Sequence, residues 1–165
     1  MNENEPQSRP NLSVPKEAAS ILETTFQRIL AEATFADAWP IADLPEAEAM
    51  SSTQLKIFLP LLAPWKGAIL IGATEATAKD LAAGYHSLPD EMVDRTIASE
   101  FLAELAEMLA RDIFCASDIP VQAGAPVEPI PERASALWTA ALKSRTVQGC
   151  NGTGRMIAAL VTGSA

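Results

Sequence analysis

The sequence has 165 residues, 48% of them hydrophobic, with 12 Lys and Arg against 21 Asp and Glu, for a net charge of −9 at pH 7. That length supports one domain with its own core, and that apolar content a folded globular chain. The acidic balance, with a sequence pI of about 4.5, excludes a nucleic-acid surface, because no basic patch exists to displace phosphate counterions.

The first residues, Met1-Asn2-Glu3-Asn4-Glu5-Pro6, lack the basic start and apolar run of a secretory signal. Residues 1–14 are polar and contain Pro6 and Pro10, which predicts a disordered leader. Pro15 suits the first position of a helix, where a missing N–H costs nothing. Ile21, Leu22, Phe26, Ile29, Leu30 and Ala33 then give residues 16–33 a helical apolar face. Residues 35–51 form a Pro- and acid-rich linker holding Trp39-Pro40 and Leu44-Pro45. It reads equally as a loop packed by its tryptophan or as a short irregular strand.

From Thr53 to Leu59 the pattern changes to alternation, with Leu55, Ile57 and Leu59 against Gln54, Lys56 and Phe58. A turn signal, Ala63-Pro64-Trp65-Lys66-Gly67, leads to the apolar run Ala68-Ile69-Leu70-Ile71, so a β-hairpin is predicted. The most apolar stretch, residues 57–73, is broken by Pro60, Pro64, Lys66 and Gly67 and cannot span a bilayer as a clean helix. Thr74 is placed to cap a short helix over 75–83, with Gly84 ending it.

Residues 87–114 read as one long amphipathic helix, continuous from about residue 90. Ser87 with Asp90 three residues on resembles a capping signal, and Pro89 suits a first turn. Asp90, Glu91 and Asp94 bring negative charge to the positive end of the helix dipole. At roughly 100° per residue, Glu100, Glu104, Glu107 and Arg111 fall in one narrow stripe. Ile97, Phe101, Leu105, Met108, Leu109 and Ile113 spread over the other side. One flank of the stripe holds only Ser99, Ala103, Ala106 and Ala110, low walls that would let a partner's backbone come close.

Beyond the helix, Pro120, Pro126, Pro129 and Pro131 punctuate short extended segments. Proline confines strands to edges or strand starts, which puts Val121 and Val127 on edge strands. Residues 134–142 and 146–149 are further strand candidates. Cys150-Asn151-Gly152-Thr153-Gly154 is a hairpin turn, carried by Asn-Gly, and residues 155–161 close the chain as an apolar strand. The order of elements describes an α+β fold with helices on a mainly antiparallel sheet.

Several chemistries lack their residues. His86 is the single histidine and the two cysteines, Cys115 and Cys150, are far apart, so no zinc site is expected. No G-x-S-x-G accompanies His86 for a hydrolytic triad, and no Gly-Lys-Ser/Thr follows the glycine-rich turn at 149–154. No cofactor is expected. Both cysteines read as reduced thiols of a cytoplasmic protein, without a membrane partner. Charges on the outer face of a helix are also what a solvated surface carries.

Residues 57–119 resemble the CheC/CheX family of chemotaxis phosphatases, CheX most closely. The likeness rests on Trp65-Lys66-Gly67-Ala68-Ile69-Leu70-Ile71-Gly72, the short helix after Thr74, the connection from Tyr85 to Leu88, and the run Glu100-Phe101-Leu102-Ala103-Glu104-Leu105-Ala106-Glu107-Met108. The resemblance implies a CheX-like α+β domain over 15–165, with helices on one face of the sheet. It also implies a partner, the phosphorylated receiver domain of a CheY-like response regulator. The family signature is Asp or Ser, three residues, Glu, two residues, Asn. Glu104 matches the glutamate, which in the family docks against a receiver lysine. Glu107 stands where the asparagine orients the attacking water, and Glu100 where the Asp or Ser belongs. Pro129 and Pro131 bracket a further family proline.

The implied catalytic residues are therefore Glu104 and Glu107, and the implied partner contacts Glu100, Ala103 and Arg111. An ionised carboxylate donates no hydrogen bond, so Glu107 would serve only if protonated, through Glu104 and the phosphate, or as a base toward the water. Two functions stay open: an aspartyl-phosphate phosphatase weakened at position 107, or a non-catalytic module docking a receiver, flagellar or scaffold partner through the same helix. A homodimer is expected, pairing over the Pro-poor terminal strand as a sheet edge.

Overall fold

Period-3.6 and period-2 segments sort into a helical layer and a sheet. The computed structural model describes residues 16–41, 44–45, 48, 53–63, 67–115, 122–127, 145–151 and 154–162. Helix α1 (Lys16–Thr34) buries Leu22, Phe26, Ile29 and Leu30 of the expected apolar face, while Ile21, placed on that face, is exposed. It ends at Phe35, whose φ of 58° is left-handed and whose side chain is exposed. The linker holds a three-residue strand, β1 (Ala38–Pro40).

Strands β2 (Leu55–Ala63) and β3 (Gly67–Ala73) form the expected hairpin, with Leu59 opposite Ile69. Helix α2 (Glu75–His86) starts at Thr74, whose hydroxyl accepts the Thr77 N–H at 3.2 Å. It runs past Gly84. Ser87, at φ 54°, turns the chain left-handed; its N–H bonds the Gly84 carbonyl, and the Leu88 N–H bonds that of Ala83 at 3.0 Å. These paired bonds satisfy carbonyls that a helix end otherwise leaves orphaned.

The single helix predicted over 87–114 is therefore broken. Residues Asp90–Met92 make one 3-10 turn and Val93 is extended. Helix α3 (Arg95–Ile113) begins at Asp94, whose carboxylate accepts the Ile97 N–H at 2.9 Å. Ser87 closes one helix rather than opening the next, and Asp94 is the N-cap.

Strand β4 (Gln122–Ala123) pairs with the outer edge of β2, and Val127 exchanges two 2.9 Å backbone bonds with Phe58 on the same edge. Strands β5 (Arg145–Cys150) and β6 (Gly154–Thr162) form the second hairpin, turned by Asn151 at φ 49°. The sheet order is β1-β5-β6-β3-β2-β4, antiparallel throughout. The last described strand, β6, lies between β5 and β3 and offers no free edge over which the expected dimer could pair.

The helices cover one face. There Phe26, Phe101, Leu102 and Leu105 meet Ile57, Leu59, Ile69 and Ile71 in the main core. The other face carries a smaller cluster, Ala68, Leu70, Val147, Ile157 and Ala159, with Leu44 of the linker packed on it. Burial on both faces explains why β3 reads as a continuous apolar run. Residues 1–14, residues 64–66 of the hairpin turn, Val121, Pro129, Pro131 and the strand candidate at 134–142 lie outside the described residues. No helix among the described residues is long and apolar enough to cross a membrane.

Candidate functional site

Helix α3 buries Phe101, Leu102, Leu105, Leu109 and Ile113 against the sheet. Its helical period then forces the opposite side outward. Glu100, Glu104, Glu107 and Arg111 are all exposed there, one row about three turns long. The proposed low-walled flank is only partly open. Ala106 and Ala110 are 0% and 3% exposed and belong to the core, so only Ser99 and Ala103 border the row on that side. The other flank opens into a shallow groove between α1 and α3, lined by Ile29, Glu32, Ala33, Met108, Arg111 and Asp112. Arg28 of α1 reaches across to Asp112 at 3.0 Å, tying the two helices beside this groove.

Helix α2 lies alongside α3 and runs the same way. Glu75, at its start, pairs with Lys79 at 2.9 Å and with Arg95, at the start of α3, at 3.5 Å. The Lys79 hydrogen bond and charge hold the Glu75 carboxyl below its usual range, with Arg95 adding to them. At its other end α2 places the Tyr85 ring against Phe101, centroids 5.4 Å apart, and edge-on to His86 at 4.8 Å. Hydrogen bonding toward Glu104, then burial, then the Glu104 charge push the Tyr85 hydroxyl above its usual pKa, while Arg111 opposes them. Glu104 is thus the carboxylate of the row whose charge bears on Tyr85 of the neighbouring helix.

Tyr85 was not legible as a site residue. It falls in a short polar connection on the sequence, and its ring contact with Phe101 spans two helices. Its one signal is that it is the sole tyrosine. His86, expected in a loop, is the exposed last residue of α2. Glu107 and Arg111, one turn apart, form no ion pair.

An exposed row of three carboxylates and one guanidinium can accept a partner's cation and steer a complementary surface. Ionised, none of the carboxylates donates a hydrogen bond to an anion. Among the described residues no group of three or more His, Cys, Asp or Glu is arranged to hold a metal ion.

No protein-family model and no curated protein matches the chain. Solved structures do match its fold. The chemotaxis protein CheX from Vibrio vulnificus is similar at TM-score 0.62 and 10% identity, over 88% of this chain and 95% of that one. A chain of the CheX–CheY–BeF3–Mg complex from Borrelia burgdorferi is similar at TM-score 0.60 and 11% identity, over 90% and 97%. A CheC-like superfamily protein from a Shewanella species is similar at TM-score 0.60 and 9% identity, over 92% and 100%. The fold is CheX-like, as the resemblance implied, with three helices packed on an antiparallel sheet among the described residues.

Proposed function

We propose that this protein docks a CheY-like receiver domain through the exposed row Glu100, Glu104, Glu107 and Arg111 of α3, and that it hydrolyses the receiver's aspartyl phosphate weakly or not at all. One observation carries the reading: these four side chains stand exposed on one helix of a CheX-like fold, and the sequence resemblance gives Glu104 the part of the signature glutamate. A CheX–CheY complex exists for a protein of this fold, which supports a receiver as the partner.

In this reading Glu104 accepts the ammonium of a receiver lysine, and Ala103 lets the receiver's backbone approach beside it. Arg111 faces an acidic group of the partner. Phosphoryl transfer to water depends on positioning and on stabilising charge. Glu107 works against both. It presents no donor to the phosphoryl oxygens and adds negative charge beside them. At an effective dielectric near 20, a like charge about 4 Å away costs on the order of a few kcal/mol. Each ~1.4 kcal/mol is a factor of ten in rate.

Dephosphorylation of a phosphorylated receiver by wild type, Glu107→Asn and Glu104→Ala tests this. Glu107→Asn should raise hydrolysis about tenfold or more, and Glu104→Ala should weaken binding. A robust wild-type activity that Glu107→Asn abolishes would make Glu107 a catalytic base and overturn the charge account. The second reading, docking of a receiver without any hydrolysis, is favoured by the same carboxylate; an inert Glu107→Asn that still binds would establish it.

A further inference from the structure

We propose that the groove between α1 and α3 is the apolar part of the docking surface, and that it takes an apolar side chain of the receiver whose neighbouring carboxylate pairs with Arg111. This rests on the docking reading above, and its test separates the two.

The floor of the groove is built from both helices. Ile29 and Ala33, one turn apart on α1, meet Met108 of α3 there. Ile29 is buried, while Ala33 and Met108 pack partly exposed on the main core. The floor is thus a margin of that core left open to solvent. The acidic groups on its rim are engaged. Glu32 and Asp112 share the Arg28 guanidinium, at 3.5 and 3.0 Å. Arg111, on the α3 rim, is exposed and forms an ion pair with none of the described carboxylates. The groove therefore presents an apolar floor beside one open cation. A lysine or arginine entering it would meet Arg111 as a like charge and find both acids occupied. An apolar side chain flanked by an Asp or Glu satisfies floor and cation together, and the flexible Met108 can repack to its shape.

The size of the row sends the receiver this far. Glu100 to Arg111 spans about 17 Å of helix, and a strip one helix wide, about 10 Å, covers roughly 170 Å2. A stable complex of standard size buries about 800 Å2 on each partner. The row cannot supply that area alone. Arg111 ends the row and also lines the groove, so a body seated on the row continues directly over it.

Calorimetric titration at pH 7 of a CheY-like receiver, held with Mg2+ and beryllofluoride, compares wild type, Met108→Gln, Ala33→Gln, Arg111→Met, Arg111→Glu and Glu104→Ala. Glutamine is a good helix former, so the first two changes make the floor polar without breaking either helix. Each should weaken binding about tenfold and make the heat-capacity change of binding less negative, the marker of apolar burial. They stand on different helices, so a folding defect in one leaves the other to decide. Arg111→Met should weaken binding about tenfold, the scale of one charged hydrogen bond, and Arg111→Glu further, because it sets two carboxylates against each other.

Wild-type affinity and heat-capacity change in both floor variants overturn the proposal. So does an Arg111→Glu protein that binds as tightly as wild type or more tightly. A wild-type dimer that Met108→Gln dissociates in sedimentation would give the groove to a second copy of the chain, and overturns it too. Weaker binding by the floor variants with Glu104→Ala unchanged keeps the groove and overturns the row instead. A wild type that binds no receiver overturns both.

Discussion

Gly84 of α2 lies against the last carbonyl of α1: a Cβ on Gly84 would stand 2.6 Å from the Thr34 oxygen. The absence of that one carbon sets how closely the two helices approach. It also sets where the next residue, Tyr85, is delivered onto Phe101.

Gly84→Ala should therefore destabilise the protein. Alanine gains about 1 kcal/mol in helix propensity. Against this, the clash is with backbone, which cannot swing away, and overpacking costs roughly 1–3 kcal/mol. Urea unfolding should show a lowered midpoint with an unchanged slope. A midpoint equal to or above wild type would mean that the helices have room to part.

The chain break before α3 is testable by its caps. Asp94→Ala should cost about 1 kcal/mol, while Asp94→Asn should cost little, since both Asp and Asn accept the Ile97 N–H. Ser87→Gly should stabilise by up to roughly 1 kcal/mol, because glycine enters the left-handed region without the Cβ penalty. An N-cap serine at 87 would give the opposite sign. Thermal unfolding of the three variants distinguishes the two geometries.

Most of the fold was legible because its signals are local. The Leu55, Ile57, Leu59 alternation, the Thr74 cap, the apolar run at 68–71 and the Asn-Gly turn each depend on neighbours a few residues away. What escaped depends on competition or on distance. Ser87 with Asp90 three residues on resembles a capping signal, and the sequence does not say that Ser87 turns left-handed and leaves the cap to Asp94. Strand β1 pairs with β5 over only three residues. Its seat is made by Gly149, where a Cβ would come within 2.4 Å of the Trp39 indole, a contact joining positions far apart in the chain. The carboxylate row was visible from helical period alone. The packing of Tyr85 on Phe101 was not, because periodicity says which residues share a helix face and nothing about which helix lies beside it.

The two cysteines should differ sharply in reactivity. Cys115 is exposed. Cys150 is buried in the core, and that burial, with the Asp80 charge adding to it, pushes its thiol up to about 12. The thiolate is the nucleophile. At pH 8 iodoacetamide should alkylate Cys115 rapidly in the native protein, with Cys150 modified only after unfolding, as read by peptide mass spectrometry. Linkage gives a second readout. The Cys150 pKa is raised on folding from its usual value of 9.0 to about 12. The unfolded state therefore releases its proton first as pH climbs. Stability is full below pH 9 and falls between 9 and about 12. Cys150→Ala should flatten that part of the alkaline unfolding profile. A steep profile retained by the variant would assign it to other groups.

The α1–α3 bridge should matter little to stability. Arg28 and Asp112 are 49% and 33% exposed, and an ion pair so open to solvent contributes about 0–1 kcal/mol. Asp112→Asn should leave the urea midpoint almost unchanged. A large loss would show that the groove beside Arg111 is held open by this pair.

Calorimetric titration of a CheY-like receiver, held with Mg2+ and beryllofluoride, into wild type, Glu104→Ala and Glu48→Ala tests the docking face most directly. Glu48 pairs with Arg155 of β6 and lies off the α3 row, so it serves as the control carboxylate. Wild type and Glu48→Ala should bind alike, and Glu104→Ala should bind at least about tenfold more weakly, as expected for loss of a charged hydrogen bond. Equal affinity of Glu104→Ala and wild type, or no heat of binding from any of the three, would contradict docking through this row.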